Sequence, residues 1–178
     1  MLRTYTNNDS FEPDSMIMSD SAMIEMLDGR PLVNVDILLV DRQNKKLILP
    51  TRRAKPAEGL WFIGGGIKRN QDFKEAAQAT FKRETGVELS LERFKFLAVN
   101  RFVWDYRDQA PPRNGRVDIN FCFSVDVTGR EIDKVQLNQN EYDINASLKG
   151  YDRAALEIAL QEESPIKAVI LDYFDYLF

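Results

Sequence analysis

The chain has 178 residues, a length typical of one domain, and its 24 Lys and Arg against 28 Asp and Glu give a net charge of −4. This balance argues against a broad surface for nucleic acid or anionic membranes, and no apolar run reaches the roughly 18 residues that a membrane span needs. The absence of histidine excludes Ser-His-Asp triads, histidine-ligated zinc and a histidine base, and the single Cys122 excludes an intrachain disulfide and fits a cytoplasmic location.

The first elements predict an arm followed by a helix and a hairpin. Residues 1–19 are rich in Asn, Asp, Ser and Thr and are predicted to be a loose N-terminal arm, with a single domain over residues 20–178. Asp20 to Leu27 predicts a short helix that ends near Gly29. Two apolar runs at 32–40 and 46–49 predict a β-hairpin, which Asp36 interrupts.

A run of three glycines at 64–66 follows an apolar strand and precedes a helix. The helix is predicted from about Asp72 to Thr85, with Gly86 as its C-cap. Glycines allow close backbone approach and a helix N-terminus attracts anions, so this turn can bind phosphate. A tight turn without a ligand explains the same glycines equally well.

The rest of the chain predicts further strands and two helices. Strands are predicted at 94–100, 101–105 and 117–127, with a Pro- and Gly-containing loop at 105–116 that is long enough to be functional. In the last strand polar residues from Asp118 to Asp126 lie opposite the apolar ones. Helical patterns at 151–164 and 165–178 meet at Ser164-Pro165. The pattern indicates one α+β or α/β domain.

Two carboxylates stand in apolar surroundings. Glu84 falls on the apolar stripe of the predicted helix, where it must be paired, hydrogen-bonded or metal-bound, unless the last turn frays and the side chain reaches solvent. Asp36 lies on the strand face opposite Val35, which can be buried or wet. Two arginines after the hairpin, Arg52 and Arg53, can clamp phosphates or belong to a solvated loop.

The segment from Gly59 to Leu89 resembles a degenerate Nudix box. That pattern is Gly, five residues, Glu, seven residues, Arg-Glu, an apolar residue, any residue, Glu-Glu, any residue, Gly and an apolar residue. Five of nine defined positions match: Gly65, Phe81, Glu84, Gly86 and Val87. Four depart from it: Gln71, Ala79, Thr80 and Arg83.

The resemblance implies a fold and a chemistry. Nudix enzymes have a mixed β-sheet between helices, an α/β/α sandwich in the α+β class, here with extra C-terminal helices, and they hydrolyse nucleoside diphosphates linked to another moiety, normally with Mg²⁺. The chain from about Pro31 to Tyr142 is most similar to GDP-mannose mannosyl hydrolases, a subgroup that lacks several box glutamates. The implied metal ligands are Gly64, Glu84 and Gln139, with Asn138 as an alternative to Gln139, and the implied catalytic residues are Asp36 and Arg52.

The chain also departs from that subgroup. Its enzymes use a histidine base beside the metal-binding glutamine, and the register places Gln139 there; glutamine accepts no proton at neutral pH, and the nearby Glu141 can serve instead. Gly66 stands where the subgroup has an arginine, for which Lys68 can substitute. One carboxylate implies one Mg²⁺ per site, weakly held without substrate.

Two functions follow from these expectations. The first is a Mg²⁺-dependent hydrolase of a nucleotide sugar or related diphosphate, and the alternative is an inactive Nudix-fold domain that binds such a small molecule. The expected partners include neither nucleic acid nor a membrane, and the resemblance implies a homodimer. Aromatic residues near the long loop can stack on a ligand or simply pack. The candidate substrate-binding residues are Arg53, Gly65, Lys68, Trp104 and Tyr106.

Overall fold

The computed structural model describes residues 13, 17–54, 58–146, 148–160 and 164–178, so most of the predicted arm lies outside the described residues. Single 3-10 turns cover Leu91–Arg93 and Pro112–Asn114. The other elements, in chain order, are α1 Asp20–Gly29, β1 Leu32–Asp41, β2 Lys46–Leu49, β3 Thr51–Arg52, β4 Gly59–Leu60, β5 Ile63–Gly66, α2 Phe73–Thr85, β6 Lys95–Trp104, β7 Arg116–Asp126, α3 Gly129–Ile132, β8 Lys149–Tyr151, α4 Arg153–Ala159 and α5 Pro165–Leu177.

One mixed sheet organises these elements. Its strand order is β6-β7-β1-β2-β8, and the short β5 also pairs with β1. β1 is parallel to β7 and antiparallel to its other neighbours, with β5 beside residues 34–37 and β2 beside residues 39–41. The predicted α+β class, a mixed sheet with flanking helices, is confirmed.

Both faces of the sheet are covered by apolar clusters. On one face Val35 and Ile37 of β1 belong to a cluster with Ala77 and Phe81 of α2. On the other face β1 contributes Leu38 to a cluster that includes residues of α4 and α5. Side chains at the start of β1 that alternate with Val35 and Ile37 therefore point to a buried side of the sheet rather than to water.

Local signals in the sequence set the ends of the helices. Ser19 caps α1, and Asp72 caps α2 in a capping box with Glu75, so that both side chains satisfy backbone N–H groups of the first turn. α2 ends at Gly86, whose φ of 70° is a left-handed conformation that glycine adopts without strain. The two predicted C-terminal helices and the hairpin are also confirmed. None of the helices in the described ranges is long and apolar enough to cross a membrane.

Two predictions were wrong. Residues 64–66 do not form a turn at a helix N-terminus: they belong to β5 and pair with residues 34–36 of β1, and α2 starts only at Phe73. The proposed anion site at that helix start is therefore not formed by these glycines. The predicted break between Asn100 and Arg101 is also absent, because β6 pairs with β7 from Lys95 to Trp104, with one irregularity between Phe96 and Ala98.

Candidate active site

A cavity of about 260 Å³ opens where β1, β5 and β7 meet the C-terminal end of α2. Its walls carry both signs of charge. The acidic side chains are Asp36, Glu84, Asp118 and Glu141, and the basic side chains are Arg52, Arg83 and Arg116. Such a mixture suits a ligand with anionic groups at one place and hydrogen-bond donors at another.

Glu84 lies in the interior and does not fray into solvent. Its side chain is 3% exposed, and Arg83 donates from Nε to Glu84 Oε1 at 2.7 Å. The other oxygen, Oε2, is buried and has no hydrogen-bond partner among the described residues. A buried carboxylate oxygen without a partner is costly, so this atom is suited to a cation or a donor that enters the cavity.

Gly64 lines the same cavity as this carboxylate and contributes backbone polar groups. Gly64 is paired with Asp36 in the antiparallel ladder, yet its N–H donates to the hydroxyl of Tyr142 at 3.3 Å. In such a non-hydrogen-bonded pair the N–H and C=O both point away from the partner strand, so the Gly64 carbonyl points off the outer edge of β5. Burial raises the pKa of Tyr142, and the negative charge of the nearby Glu84 acts in the same direction.

These residues fit a single divalent cation. Within the described part of the chain no group of three or more His, Cys, Asp or Glu side chains could hold a metal. A Mg²⁺ ion keeps several waters and needs only one or two carboxylates when substrate phosphates complete its shell. Glu84 Oε2 and the Gly64 carbonyl would supply the protein ligands, and Mg²⁺ would supply Lewis-acid activation of a phosphate oxygen or a bound water.

A row of polar side chains runs across β1 and β7 on the floor of the cavity. Asn34 donates to Asn120 Oδ1 at 3.2 Å, and Asn120 donates to Asp36 Oδ2 at 2.6 Å. Burial raises the pKa of Asp36 to about 6, although the Asn120 bond and the charge of Arg52 oppose the rise. The raised pKa of Asp36 makes this carboxyl a candidate proton acceptor.

Asp118, on β7, extends this polar row toward Trp104. Asp118 Oδ2 accepts hydrogen bonds from Trp104 Nε1 at 2.9 Å and from Arg116 Nε at 3.1 Å. Asp118 Oδ1 is buried without a partner. Trp104 also lies 5.7 Å from Trp61, ring centre to ring centre, so an aromatic pair forms part of the same wall.

Arg52 lies on the aromatic wall as well. Its guanidinium carbon is 4.8 Å from the centre of the Trp61 ring, a cation–π arrangement, and Arg52 Nη2 is 3.5 Å from Glu141 Oε2. The Arg52 side chain is 14% exposed and that of Glu141 42%, which places Glu141 at the cavity rim. Both contacts hold the guanidinium in one position.

Residues 136–143, which we call the bracing segment, connect these parts. Asn138 N donates to Glu84 O at 3.0 Å at the end of α2. On the β3 side, Arg53 N donates to Glu141 O at 2.9 Å, and Tyr142 forms an isolated antiparallel β-bridge with Arg52. The bracing segment therefore fixes the positions of Glu84, Glu141 and Gly64 relative to one another.

The structure brings most of the predicted site residues together. Asp36, Arg52, Gly64, Gly65, Glu84, Trp104 and Glu141 line the cavity. The other four, Arg53, Lys68, Tyr106 and Gln139, are exposed and lie outside its lining, and their predicted roles stay predictions.

Several lining residues were not expected from the sequence. Asn34-x-Asp36 and Asp118-x-Asn120 are pairs of polar residues two positions apart in otherwise apolar strands, a spacing that places each pair on one face of its strand. That signal was present, but only the pairing of β1 with β7 shows that the two pairs meet. The lining residues that the sequence did not assign to the site are Leu32, Asn34, Trp61, Arg83, Arg116, Asp118, Asn120 and Tyr142.

Solved structures share this fold at low sequence identity. A MutT NUDIX hydrolase from Burkholderia pseudomallei is 18% identical over 80% of this chain and 97% of its own, with a TM-score of 0.58. A NUDIX hydrolase from Nitrosomonas europaea is 14% identical over 83% and 90%, with a TM-score of 0.60. An Ap4A hydrolase from C. elegans is 13% identical over 84% and 100%, with a TM-score of 0.53. At these identities the likeness concerns the fold, which is that of NUDIX hydrolases.

The family follows from the sequence match. The model of the NUDIX domain matches residues 30–167, most of the chain, and the chain belongs to the NUDIX hydrolase family. This confirms the family that the degenerate box indicated. The comparisons do not support the narrower mannosyl-hydrolase subgroup, which stays a prediction.

Proposed function

We propose that this protein is a Mg²⁺-dependent hydrolase of a nucleoside diphosphate sugar or a related nucleoside diphosphate derivative. The observation that carries the proposal is the buried, unpartnered Glu84 Oε2 in a cavity that is also lined by arginines and by a polar row on the sheet. A carboxylate oxygen suits a cation, arginines suit phosphates, and amides and carboxylates suit hydroxyl or amino groups.

Arg52 is the residue we assign to the leaving diphosphate. Trp61 and Glu141 hold its guanidinium against the cavity wall, so little reorganisation is needed when negative charge develops on a departing phosphate. A preorganised cation of this kind stabilises the transition state more than the ground state.

Two carboxylates are suited to accept a proton from the attacking water. Glu141 is at the rim, where water has access, and lies two residues after Gln139, which stands where the subgroup has its histidine base. Asp36 is buried and has a pKa near 6, which matches the working range of a general base. Hydrolysis adds OH to one product and H to the other, whichever bond of the diphosphate–sugar linkage breaks.

The polar wall would recognise the rest of the substrate. Among the described residues Asp118 Oδ1 lacks a donor, and the Trp104 indole, which lines the same cavity, donates to the other oxygen of this carboxylate. Sugars and bases both combine donors with flat or apolar faces, so this wall fits a sugar ring or a nucleobase.

The direct test is turnover of a panel of nucleotide sugars, GDP-mannose among them, with Mg²⁺ in H₂¹⁸O. We expect free sugar or sugar phosphate to appear, with ¹⁸O in the sugar if a carbon–oxygen bond breaks and in phosphate if a phosphorus–oxygen bond breaks. Absence of product from every compound, together with equal ligand binding by wild type and Glu84→Gln, would contradict the proposal.

The departures from the box favour one alternative, a NUDIX domain that binds such a ligand without turnover. The side chains at 71, 79, 80 and 83 are not the expected Glu, Arg, Glu and Glu. Metal-independent thermal stabilisation by a nucleotide sugar, without product, would support this second function. We also propose the cytoplasm and a homodimer as its setting; light scattering measures the mass in solution.

A further inference from the structure

Arg83 places a positive charge where the NUDIX box has a carboxylate. It immediately precedes Glu84 on α2, lines the cavity and donates to Glu84 Oε1 at 2.7 Å. The Arg83 side chain is 49% exposed, whereas that of Glu84 is 3% exposed. The pair therefore joins a fixed, buried anion to a cation that still reaches the open cavity.

Gly65 leaves open the space that the Arg83 side chain occupies. A Cβ atom built on Gly65 would collide with Arg83 Nη2 and would lie 3.2 Å from Thr80 Cγ2. The guanidinium thus packs directly against the backbone of β5, a position that only glycine leaves open. The adjacent Lys82 behaves differently, because it pairs with the exposed Glu88 and does not line the cavity.

A guanidinium in this place acts on a divalent cation in two ways. It occupies one of the two Glu84 oxygens, and its positive charge repels a second positive charge at the other oxygen. An arriving phosphate reverses the balance, because the two Nη groups carry four N–H donors in a geometry that matches two phosphate oxygens.

We propose that Arg83 exchanges partners: it holds Glu84 while the site is empty, and it turns to a phosphate of the ligand when one arrives, which leaves Glu84 to a divalent cation. That the phosphate belongs to a diphosphate ligand rests on the proposed function. Its consequence is that cation and diphosphate bind cooperatively, since each removes an obstacle to the other. The Arg83 guanidinium thereby supplies positive charge to the phosphates that a second metal ion would otherwise supply.

Binding measurements without turnover test the exchange. The variants are Arg83→Gln, Arg83→Lys and, as a matched control on the same turn of α2, Lys82→Gln. Titration calorimetry with inorganic pyrophosphate in EDTA reports the phosphate contact, and the paramagnetic resonance signal of free Mn²⁺ in phosphate-free buffer reports the cation site. Thermal unfolding of each variant checks that it is folded.

We expect opposite changes for the two probes. Arg83→Gln weakens pyrophosphate binding in EDTA about 10-fold through loss of a charge-assisted contact, and it tightens Mn²⁺ binding several-fold in the absence of phosphate, on the order of 3- to 10-fold. Arg83→Lys keeps the charge and loses the paired donors, so it leaves Mn²⁺ binding near wild type and still weakens pyrophosphate binding. Lys82→Gln changes neither.

Three results would overturn the proposal. They are a wild type that binds no pyrophosphate in EDTA, an Arg83→Gln variant with unchanged pyrophosphate affinity, and an Arg83→Gln variant with unchanged or weaker Mn²⁺ binding. None of these measurements uses a nucleotide sugar. A wrong substrate in the proposed function would therefore leave both expected changes in place.

Discussion

Glu84 and Asp118 face the same cavity from opposite sides and resemble each other closely. Each is almost fully buried, each is paired with an arginine at 2.7 or 2.9 Å, and each has one buried oxygen without a hydrogen-bond partner. Their surroundings differ. The partner of Glu84 is 49% exposed, whereas Arg116, the partner of Asp118, is 17% exposed and shares its carboxylate oxygen with the Trp104 indole.

That difference assigns different tasks to two similar carboxylates. A carboxylate whose counter-charge can move away is able to exchange it for another cation. A carboxylate enclosed by a partly buried arginine and an indole keeps its partners, and its remaining oxygen can only accept a hydrogen bond from a ligand. We therefore expect changes at Glu84 to affect the reaction rate and changes at Asp118 to affect ligand affinity.

The largest effect is expected from Glu84→Gln. The amide keeps the size of the side chain and removes the charge that would hold the cation, so kcat should fall about 1,000-fold, since a metal supplies several kcal/mol of transition-state stabilisation. Turnover at saturating Mg²⁺ measures the loss. The isosteric control is Glu88→Gln, whose parent side chain is 70% exposed and pairs with Lys82. A kcat near wild type for Glu84→Gln would contradict the assignment of Glu84 to the reaction rate and of Asp118 to ligand affinity.

The next largest effect distinguishes the two candidate bases. If Asp36 is the base, kcat/KM rises as pH increases through about 6 because its carboxylate form accepts the proton, and Asp36→Asn removes that limb with about a 100-fold loss. Glu141→Gln then retains the limb. The pH profiles of the two variants decide, and the reverse pattern assigns the base to Glu141.

The same Asp36→Asn variant has a stability signature. Because the pKa of Asp36 is raised from 3.8 to about 6 in the folded protein, the native state holds a proton that the unfolded chain has lost, and wild-type stability falls as pH rises through that window. Asparagine does not titrate, so the variant does not lose stability in this way as pH rises. Denaturant unfolding should therefore show that, from below pH 3.8 to above pH 7, the free energy of unfolding of the wild type falls relative to that of Asp36→Asn by up to about 3 kcal/mol.

The smallest effect is expected from Asp118→Asn. One buried oxygen remains as an acceptor but the charge that holds Arg116 is lost, so KM should rise about 10-fold while kcat changes little, the cost of one charge-assisted hydrogen bond. Asp126→Asn, on the same strand but 57% exposed and paired with Arg42, is the control. A fall in kcat with unchanged KM would contradict the assignment.

Local features of this fold could be read from the sequence, and non-local ones could not. The ends of α2 were predicted because Asp72 and Gly86 act within one turn of the helix. The continuous β6 was missed because its pairing with β7 joins residues far apart in the chain. The glycines at 64–66 were placed in a turn because their pairing with β1 leaves no local trace.

The site shows the same division. Glu84 was found because helical periodicity and the box converge on it, although periodicity alone left open whether it was buried. Asp118 and Asn120 were noted only as polar alternation, since their function depends on the parallel register that sets Asn34 beside Asn120. Arg83 was recorded only as a mismatch to the box, and its packing against Gly65 is visible only in three dimensions.

The bracing segment also bears on the order in which the site assembles. Its Asn138 amide donates to Glu84 O, and its Tyr142 hydroxyl accepts from the Gly64 N–H, so these bonds close loops of more than 50 residues. Because contacts between such distant residues close large loops, we expect them to form late in folding. Local detachment of this one segment in the folded protein would expose the amides of Arg53, Gly64 and Asn138 to hydrogen exchange together, as one cooperative opening unit.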